Sequence, residues 1–288
     1  MDRIVIGVDG SAQSDRALQW AVREAQLHSA AIELIHGYVI QPHRGLVGRS
    51  NREVAERTMS SVVKRNRGML GNVKWTATIT PQVGSSFATP LVHAGQEADL
   101  VVVGSRGLGG FSELVLGSTS YRTAAHCPAP VAVVRGGQEP TTDRREIVVG
   151  VDESRAARRA LRWAMDEARR RAVPLAIVHS YTPPTAVLLH GVTSAGSPDA
   201  VKRSRRRARE AAAGVVDHAL AVVRTPPGLQ IERVVAEGSA AGVLLHRAQR
   251  AALLVVGTRG HGLVGRMALG SVSHQCLHHV DGPMVVVP

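Results

Sequence analysis

The sequence predicts an α/β protein made of two tandem domains, each built on a doubly wound, five-stranded parallel sheet. Apolar runs of strand length alternate along the chain with segments of helical period, which is the pattern of βαβ units. The same order of elements occurs twice. Ile4-Val-Ile-Gly-Val-Asp9 matches Ile147-Val-Val-Gly-Val-Asp152 at an offset of 143 residues, and 288 residues suffice for about two domains.

Further matches locate the two copies along the chain. Leu18 and Trp20 match Leu161 and Trp163 at the same offset, whereas matches near the end of each half lie 153 residues apart. The second copy therefore carries about ten extra residues, which we place between Pro183 and Arg209.

The domain boundaries follow from the repeat and from one stretch of turn-forming residues. Residues 137–145 contain Gly, Pro, Thr and Asp and lie between the two copies, which is typical of a linker. We therefore predict a first domain over residues 1–136 and a second over residues 146–288.

The strands of the first half are apolar runs that are rich in β-branched residues and bounded by turn residues. They are Ile4 to Asp9, Ala31 to Tyr38, Lys74 to Gln82, Leu100 to Gly104 and Val131 to Val134. Between them, four segments carry apolar residues at helical spacing. These predicted helices lie near Ser14 to His28, Asn51 to Leu70, Ser86 to Ala98 and Ser118 to Cys127.

The second half repeats this order. Its predicted strands are Glu146 to Asp152, Leu175 to Tyr181, Gln230 to Ala236, Leu253 to Gly257 and Met284 to Val287. Five parallel strands with helical crossovers give a doubly wound sheet. Such sheets bind ligands at the carboxyl ends of the strands, where the strand order reverses.

A glycine frame, G-x2-G-x9-G-(S/T), follows the fourth predicted strand of each half. It consists of Gly104, Gly107, Gly117 and Ser118 in the first half, and of Gly257, Gly260, Gly270 and Ser271 in the second. Glycine admits positive φ and leaves no Cβ between main chain and ligand, and each Gly-Ser opens a helix whose N–H groups favour anions. The frame therefore predicts a phosphate site. The alternative is that a strand-to-helix loop requires glycine for its own geometry.

An aspartate ends the first predicted strand of each half. If strands one and four are neighbours, Asp9 lies beside the Gly104 loop and Asp152 beside the Gly257 loop. Both aspartates have a second interpretation as helix N-caps, for which the serines two residues later are rivals. Inside the same strands, Gly7 and Gly150 indicate close approach of a ligand or a packing requirement.

With Val-Gly-Val-Asp at the head of each half and the glycine frame near its end, the chain resembles a tandem universal stress protein over nearly its whole length. The frame matches the motif of the ATP-binding members. The resemblance implies Rossmann-like domains that bind ATP, with a role in stress response or growth. It also implies that the last strands, Val131 to Val134 and Met284 to Val287, pair the two domains.

The resemblance further implies two sets of nucleotide-binding residues. Asp9 and Asp152 would lie beside the adenosine, and the backbone at Gly37 and Ser180 would meet the adenine. The phosphates would be wrapped by Gly104, Ser105, Arg106, Gly107, Leu108, Gly109, Gly110, Gly117, Ser118 and Thr119, and in the second half by Gly257, Thr258, Arg259, Gly260, His261, Gly262, Leu263, Gly270, Ser271 and Val272.

Two other nucleotide motifs are weaker alternatives. Gly260-His-Gly262-Leu-Val-Gly265 satisfies G-x-G-x-x-G, with Asp281 about twenty residues further on. However, it follows the fourth strand rather than the first, and the first copy has Ser112 where the last glycine falls. Neither copy contains the P-loop pattern G-x-x-x-x-G-K-(S/T), so NAD binding and P-loop chemistry are both disfavoured.

The glycine frame contains no dedicated general base. Phosphoryl transfer needs metal ligands, charge stabilisers and a group that orients the nucleophile. Arg106 and Arg259 supply positive charge, and Asp9 and Asp152 are the candidate ligands for Mg²⁺. We therefore expect ATP, with or without Mg²⁺, to be a regulatory ligand. A slow ATP hydrolase or nucleotide transferase using the same pocket is the alternative.

The net charge of +12 is unevenly distributed, with +3 in residues 1–140 and +9 in residues 141–288. Most of the excess lies in Arg155 to Arg171 and in Lys202 to Arg209. The cluster is either a solvated helical face or a site for an anionic partner. Aromatic residues are only 3% of the chain, too few for a base-stacking platform, so nucleic acid is a disfavoured partner. The sequence leaves homodimerisation open.

Two cysteines, Cys127 and Cys276, occupy similar places near helix ends, and no apolar run is long enough to span a membrane. We therefore expect a cytoplasmic protein without structural disulfides.

Overall fold

The computed structural model describes residues 1–40, 45–83, 86–107, 116–135, 146–182, 198–260 and 269–288. The chain divides into two compact units, one of Met1–Glu139 with Leu277–Pro288 and one of Pro140–Cys276. The last twelve residues thus group with the first unit, which the predicted domain boundaries did not anticipate.

The first unit contains strands β1 (Arg3–Gly7), β2 (Ala31–Ile40), β3 (Trp75–Val83), β4 (Leu100–Gly104), β5 (Val131–Val134) and β10 (Met284–Val287), and helices α1 (Ala12–His28), α2 (Gly45–Arg65), α3 (Arg67–Leu70), α4 (Thr89–Ala94) and α5 (Ser118–His126). Its sheet order is β3-β2-β1-β4-β5-β10. The strands from β1 to β5 are parallel, whereas β10 pairs with β5 in antiparallel fashion. The predicted neighbours β1 and β4 are confirmed, with Ile6 beside Val102.

The second unit contains strands β6 (Glu146–Gly150), β7 (Leu175–Tyr181), β8 (Ile231–Glu237) and β9 (Ala251–Gly257), and helices α6 (Arg155–Arg171), α7 (Pro198–Val222) and α8 (Ala240–Ala248). Its strands are parallel in the order β9-β6-β7-β8. Helix α9 (Ser271–His279) begins in this unit and ends in the first. The predicted doubly wound α/β class is confirmed.

Buried parallel strands form the centre of each unit. Ile4, Ile6 and Leu100 in the first, and Ile147 and Leu254 in the second, have no exposed surface. Burying one such side chain stabilises the fold by about 1.5–3 kcal/mol. The carboxyl ends of the strands, where ligands are expected, therefore extend from a well-packed core.

Each first helix begins at a serine. Ser11 Oγ accepts a hydrogen bond from Ser14 N at 3.1 Å, and Ser154 Oγ accepts one from Ala157 N at 3.0 Å. These hydroxyls cap free N–H groups of the first turn. The alternative that Asp9 and Asp152 are the caps is therefore excluded.

Two predicted helices are shorter or more divided than expected. The segment from Asn51 to Leu70 is interrupted at Asn66, whose side-chain amide donates to Val62 O at 2.9 Å and competes with helix continuation. Helix α4 ends at Ala94, with Gly95 as its C-cap, instead of at Ala98. Local side-chain and glycine effects of this kind shift boundaries without changing the order of elements.

Part of the expected insertion lies outside the described residues. Residues 183–197 belong to that part, whereas residues 198–209 lie in α7. Within the described ranges, no helix combines the length and the hydropathy needed to cross a membrane.

Candidate functional site

Asp9 follows β1 and faces the glycine frame of the first half. Its Oδ1 accepts a hydrogen bond from Ser11 N at 2.9 Å, which fixes the carboxylate at the start of α1. A Cβ on Gly107 would overlap Asp9 Oδ2. The second glycine of the frame is therefore needed so that this carboxylate can lie against the loop.

The second half repeats this contact. Asp152 Oδ1 accepts from Ser154 N at 2.9 Å, and a Cβ on Gly260 would overlap Asp152 Oδ2. The sequence-based prediction that each aspartate lies beside its glycine loop is confirmed in both units.

The first glycine of each frame has a packing role. A Cβ on Gly104 would lie 3.1 Å from Gln13 O, and a Cβ on Gly257 would lie 2.8 Å from the carbonyl carbon of Ala156. Both contacts are with backbone atoms in the first turn of the neighbouring helix. Glycine is thus required at these two positions by packing against the neighbouring helix, which is a structural reason independent of a ligand.

The third glycine does not need positive φ. Gly117 has φ −74° and ψ 147°, which any residue adopts, and a Cβ there would lie 3.4 Å from Ser105 O. Its N–H donates to Ser105 O at 2.7 Å, as Gly270 N donates to Thr258 O at 2.7 Å. An unusual backbone conformation is therefore not the reason for glycine at this position.

Helix α5 begins directly after Gly117 without a side-chain cap. The first-turn N–H groups of an α-helix have no intrahelical acceptors and carry its positive pole. Ser120 Oγ donates to Gly104 O at 2.5 Å, and Ser273 Oγ donates to Gly257 O at 2.6 Å. These hydroxyls tie each helix start to the end of the preceding strand.

A cavity of about 660 Å³ lies between these elements in the first unit. Its polar side is formed by Asp9, Arg106, Gly107, Gly117 and the first turn of α5. The remaining wall is largely apolar and comprises Ile35, Val39, Val54, Ala55, Phe87, Leu91 and Val103. This volume and this mixture are typical of a small-molecule site.

His36 and Gly37 line the cavity from within β2. His36 Nδ1 donates to Val8 O at 2.6 Å, as His179 Nδ1 donates to Val151 O at 2.8 Å. A Cβ on Gly37 would lie 3.0 Å from Phe87 Cδ1, so the absence of a side chain lets the phenyl ring approach the strand. Both histidines thus fix their strands to the residue before the aspartate.

Gly7 and Gly150 are explained mainly by packing. Their Cβ atoms would lie 2.8 Å from Leu91 Cδ1 and 2.9 Å from Leu244 Cδ1, respectively. Gly7 also lines the cavity, so the ligand interpretation remains compatible with its position.

The two frames differ at their arginines. Arg106 is partly buried and lines the cavity, and the described residues offer no acceptor to its buried Nε. Arg259 is exposed, and its carbonyl oxygen accepts from Ser154 Oγ at 3.2 Å. The first half therefore directs a partly desolvated cation at the cavity.

The remaining predicted site residues lie at the following places in the fold. Thr119 lines the cavity in the first turn of α5, Ser271 and Val272 begin α9, and Ser180 lies on β7. Six others lie outside the described residues: Leu108, Gly109, Gly110, His261, Gly262 and Leu263.

Sequence reasoning missed the wall contributed by α2 and by the segment before α4. Asn51, Val54, Ala55 and Thr58 line the cavity from α2, and Asn51 Nδ2 donates to Val39 O at 2.9 Å. Helical periodicity marks α2 as amphipathic but does not say which strand it covers. That information comes only from the packing of α2 on β2.

The described residues do not build a dedicated metal site in this cavity. Asp9 is the one carboxylate among its described lining residues, and Asp9 Oδ1 is held by Ser11 N. Mg²⁺ bound with a nucleotide uses substrate phosphates and waters beside one or two carboxylates. Any magnesium here would therefore depend mainly on the phosphates of the ligand.

Comparisons with known proteins agree with this architecture. The sequence model of the universal stress protein family matches residues 1–135 and 143–288. A universal stress protein of Mycolicibacterium smegmatis is 32% identical over 293 residues, which covers 99% of this chain and 96% of that protein. One of Mycobacterium tuberculosis is 28% identical over 98% of this chain and 96% of its own length.

A solved structure extends the similarity to the fold. The crystal structure of a universal stress protein from Archaeoglobus fulgidus superposes with a TM-score of 0.68 at 19% sequence identity. The match covers 99% of this chain and 97% of that one.

Proposed function

Starting from the premise that the chain belongs to the universal stress protein family, we propose that it is an ATP-binding regulator of stress response or growth. Each half would hold one ATP, and the nucleotide would act as a conformational ligand rather than a consumed substrate.

The observation that carries this proposal is the cavity of the first unit, in which one open space borders both a phosphate cradle and an apolar wall. Helix N-termini and glycine loops present N–H groups to phosphate, and Arg106 adds positive charge. At the other end, Val39, Val54 and Phe87 offer apolar surface to a base. Asp9, on the polar side, would accept a hydrogen bond from a ribose hydroxyl.

The repeated geometry supports a second site. Asp152, Gly260 and Gly270 make the same local contacts as their counterparts in the first half. We expect this second site to be the weaker one, because the extra residues follow β7, the strand that carries the adenine position at Ser180.

ATP is assigned a regulatory role because the described lining residues supply no evident base at the phosphate end. Apart from Asp9, these residues are glycines, hydroxyl residues and Arg106. His36 lies instead on β2, beside the proposed adenine position. Binding the ground state without extra contacts to the transition state does not accelerate a reaction.

We expect the purified protein to release co-purified adenine nucleotide on denaturation, as measured by mass spectrometry. With excess Mg-ATP, phosphate release should stay far below the ~10 per second typical of enzymes. Release at an enzyme-like rate that disappears in folded Asp9→Ala/Asp152→Ala protein would instead favour the hydrolase alternative.

We also propose that the two halves pair through their last strands and that the protein works in the cytoplasm. The antiparallel pairing of β10 with β5 supports the first point. Cys127 and Cys276 are free and buried, and burial raises the pKa of the Cys276 thiol to about 12. Thiols that stay protonated and unpaired suit a reducing compartment.

A further inference from the structure

Arg135 directly follows β5 and leaves the sheet next to the phosphate end of the first site. Strands β4 and β5 are parallel, with Gly104 beside Val134, and Ser105 N donates to Val134 O at 2.9 Å. The residues after these two partners, Arg106 and Arg135, therefore emerge at the same edge of the sheet.

The guanidinium of Arg135 is anchored away from the cavity. Its Nη2 donates to Leu277 O at 2.9 Å, in the last turn of α9. Carbonyl groups at a helix C-terminus carry its negative pole, which favours a cation there. Arg135 is thus a fixed positive charge beside the more open Arg106.

Electrostatics connects the two arginines. Burial lowers the pKa of Arg135, the carboxylate of Asp281 opposes this effect, and the positive charge of Arg106 adds to it. Arg106 itself has a buried Nε without an acceptor among the described residues. Two neighbouring cations in a partly desolvated place repel each other, and an anion beside them reduces that repulsion.

We propose that Arg135 is a positioning residue that acts through Arg106 and makes the first site select nucleotides by phosphate charge. This inference rests on the proposed nucleotide function. The fixed charge of Arg135 directs the Arg106 guanidinium towards the cavity. A triphosphate, with more negative charge at the start of α5, gains more from this arrangement than a monophosphate.

The second half supplies an internal contrast. At the offset of 153 residues, Arg135 corresponds to Pro288, whose side chain supplies no positive charge. Arg259, the counterpart of Arg106, is exposed. The second site should therefore discriminate less between ATP and AMP than the first.

The test compares ATP and AMP affinities by calorimetry in full-length protein that carries Ser271→Asp. This substitution places a negative charge at the phosphate end of the second site, so that the measured binding reports on the first site. Arg135→Gln should lower the ratio of ATP to AMP affinity roughly tenfold, since one charge interaction of this kind is worth about a factor of ten. Arg135→Lys should restore most of the ratio. Arg203→Gln, which removes an exposed cation from α7, should leave it unchanged.

An unchanged ratio of ATP to AMP affinity in Arg135→Gln, whether or not both affinities fall, would overturn the inference. It would not contradict the proposed nucleotide binding. Absence of binding in the parent protein would overturn the proposed function and this inference together. Thermal unfolding without nucleotide shows whether Arg135→Gln is folded. If it is not, the ratio of ATP to AMP affinity is measured in Arg135→Lys instead, and loss of the ratio in that folded variant would overturn the inference.

Discussion

The double variant Ser118→Asp/Ser271→Asp is expected to lose ATP binding while its fold remains as stable as the parent. Both serines are exposed and begin α5 and α9, where an acidic side chain interacts favourably with the helix dipole. The same charge faces the phosphates of the ligand. Repulsion between like charges in direct proximity near a protein surface costs about 2 to 4 kcal/mol, which weakens binding roughly 30-fold to 900-fold.

Thermal unfolding with and without ATP measures this effect. A ligand at a hundred times its Kd stabilises a protein by about 2.7 kcal/mol, and at the same ATP concentration this gain should fall below about 1 kcal/mol in the double variant. The variant Ser118→Asn/Ser271→Asn is the matched control, because asparagine has nearly the same size and shape as aspartate but carries no charge. Retention of the full ATP-dependent stabilisation by the Asp variant would place the phosphates elsewhere.

Gly257→Ala is expected to lower the free energy of unfolding by about 1–3 kcal/mol, the usual cost of overpacking. The new methyl would lie 2.8 Å from the carbonyl carbon of Ala156, and a backbone atom in the first turn of α6 has little freedom to move. Urea unfolding without nucleotide measures this loss.

Gly270→Ala is the matched control within the same frame. Its Cβ would lie 3.4 Å from Thr258 O, an ordinary contact, so its stability should change much less. It should weaken ATP binding at the second site, because the methyl restricts the approach of phosphate. Equal unfolding free energies for the two alanine variants would show that Gly257 is not fixed by packing.

The sequence predicts the strands better than it predicts the reasons for the glycines. The bounds of β4, β5, β7 and β10 agree with the predicted ranges. The strands β4, β5 and β10 are short apolar runs between clear turn residues. By contrast, Gly117 shows no positive φ, and Gly104 is required by α1 rather than by a ligand. A motif shows where glycine occurs, whereas the neighbour that excludes a Cβ is a property of the folded chain.

Contacts between distant segments could be predicted from the sequence only in part. The approach of Asp9 to Gly107 could be predicted, because parallel strands one and four end at the same edge. The wall formed by Val54 and Thr58 and the anchoring of Arg135 on Leu277 could not. Both depend on how helices pack on the sheet, and side-chain periodicity does not determine that packing.

Calorimetric titration of the nucleotide-free protein with ATP tests the central claim most directly. Two intact glycine frames predict two ATP molecules per chain, with the weaker binding assigned to the second half and weakened further there by Ser271→Asp. A stoichiometry of one in the parent would show that one frame no longer binds nucleotide. Absence of any binding heat across several temperatures, in protein shown to be folded, would contradict the account.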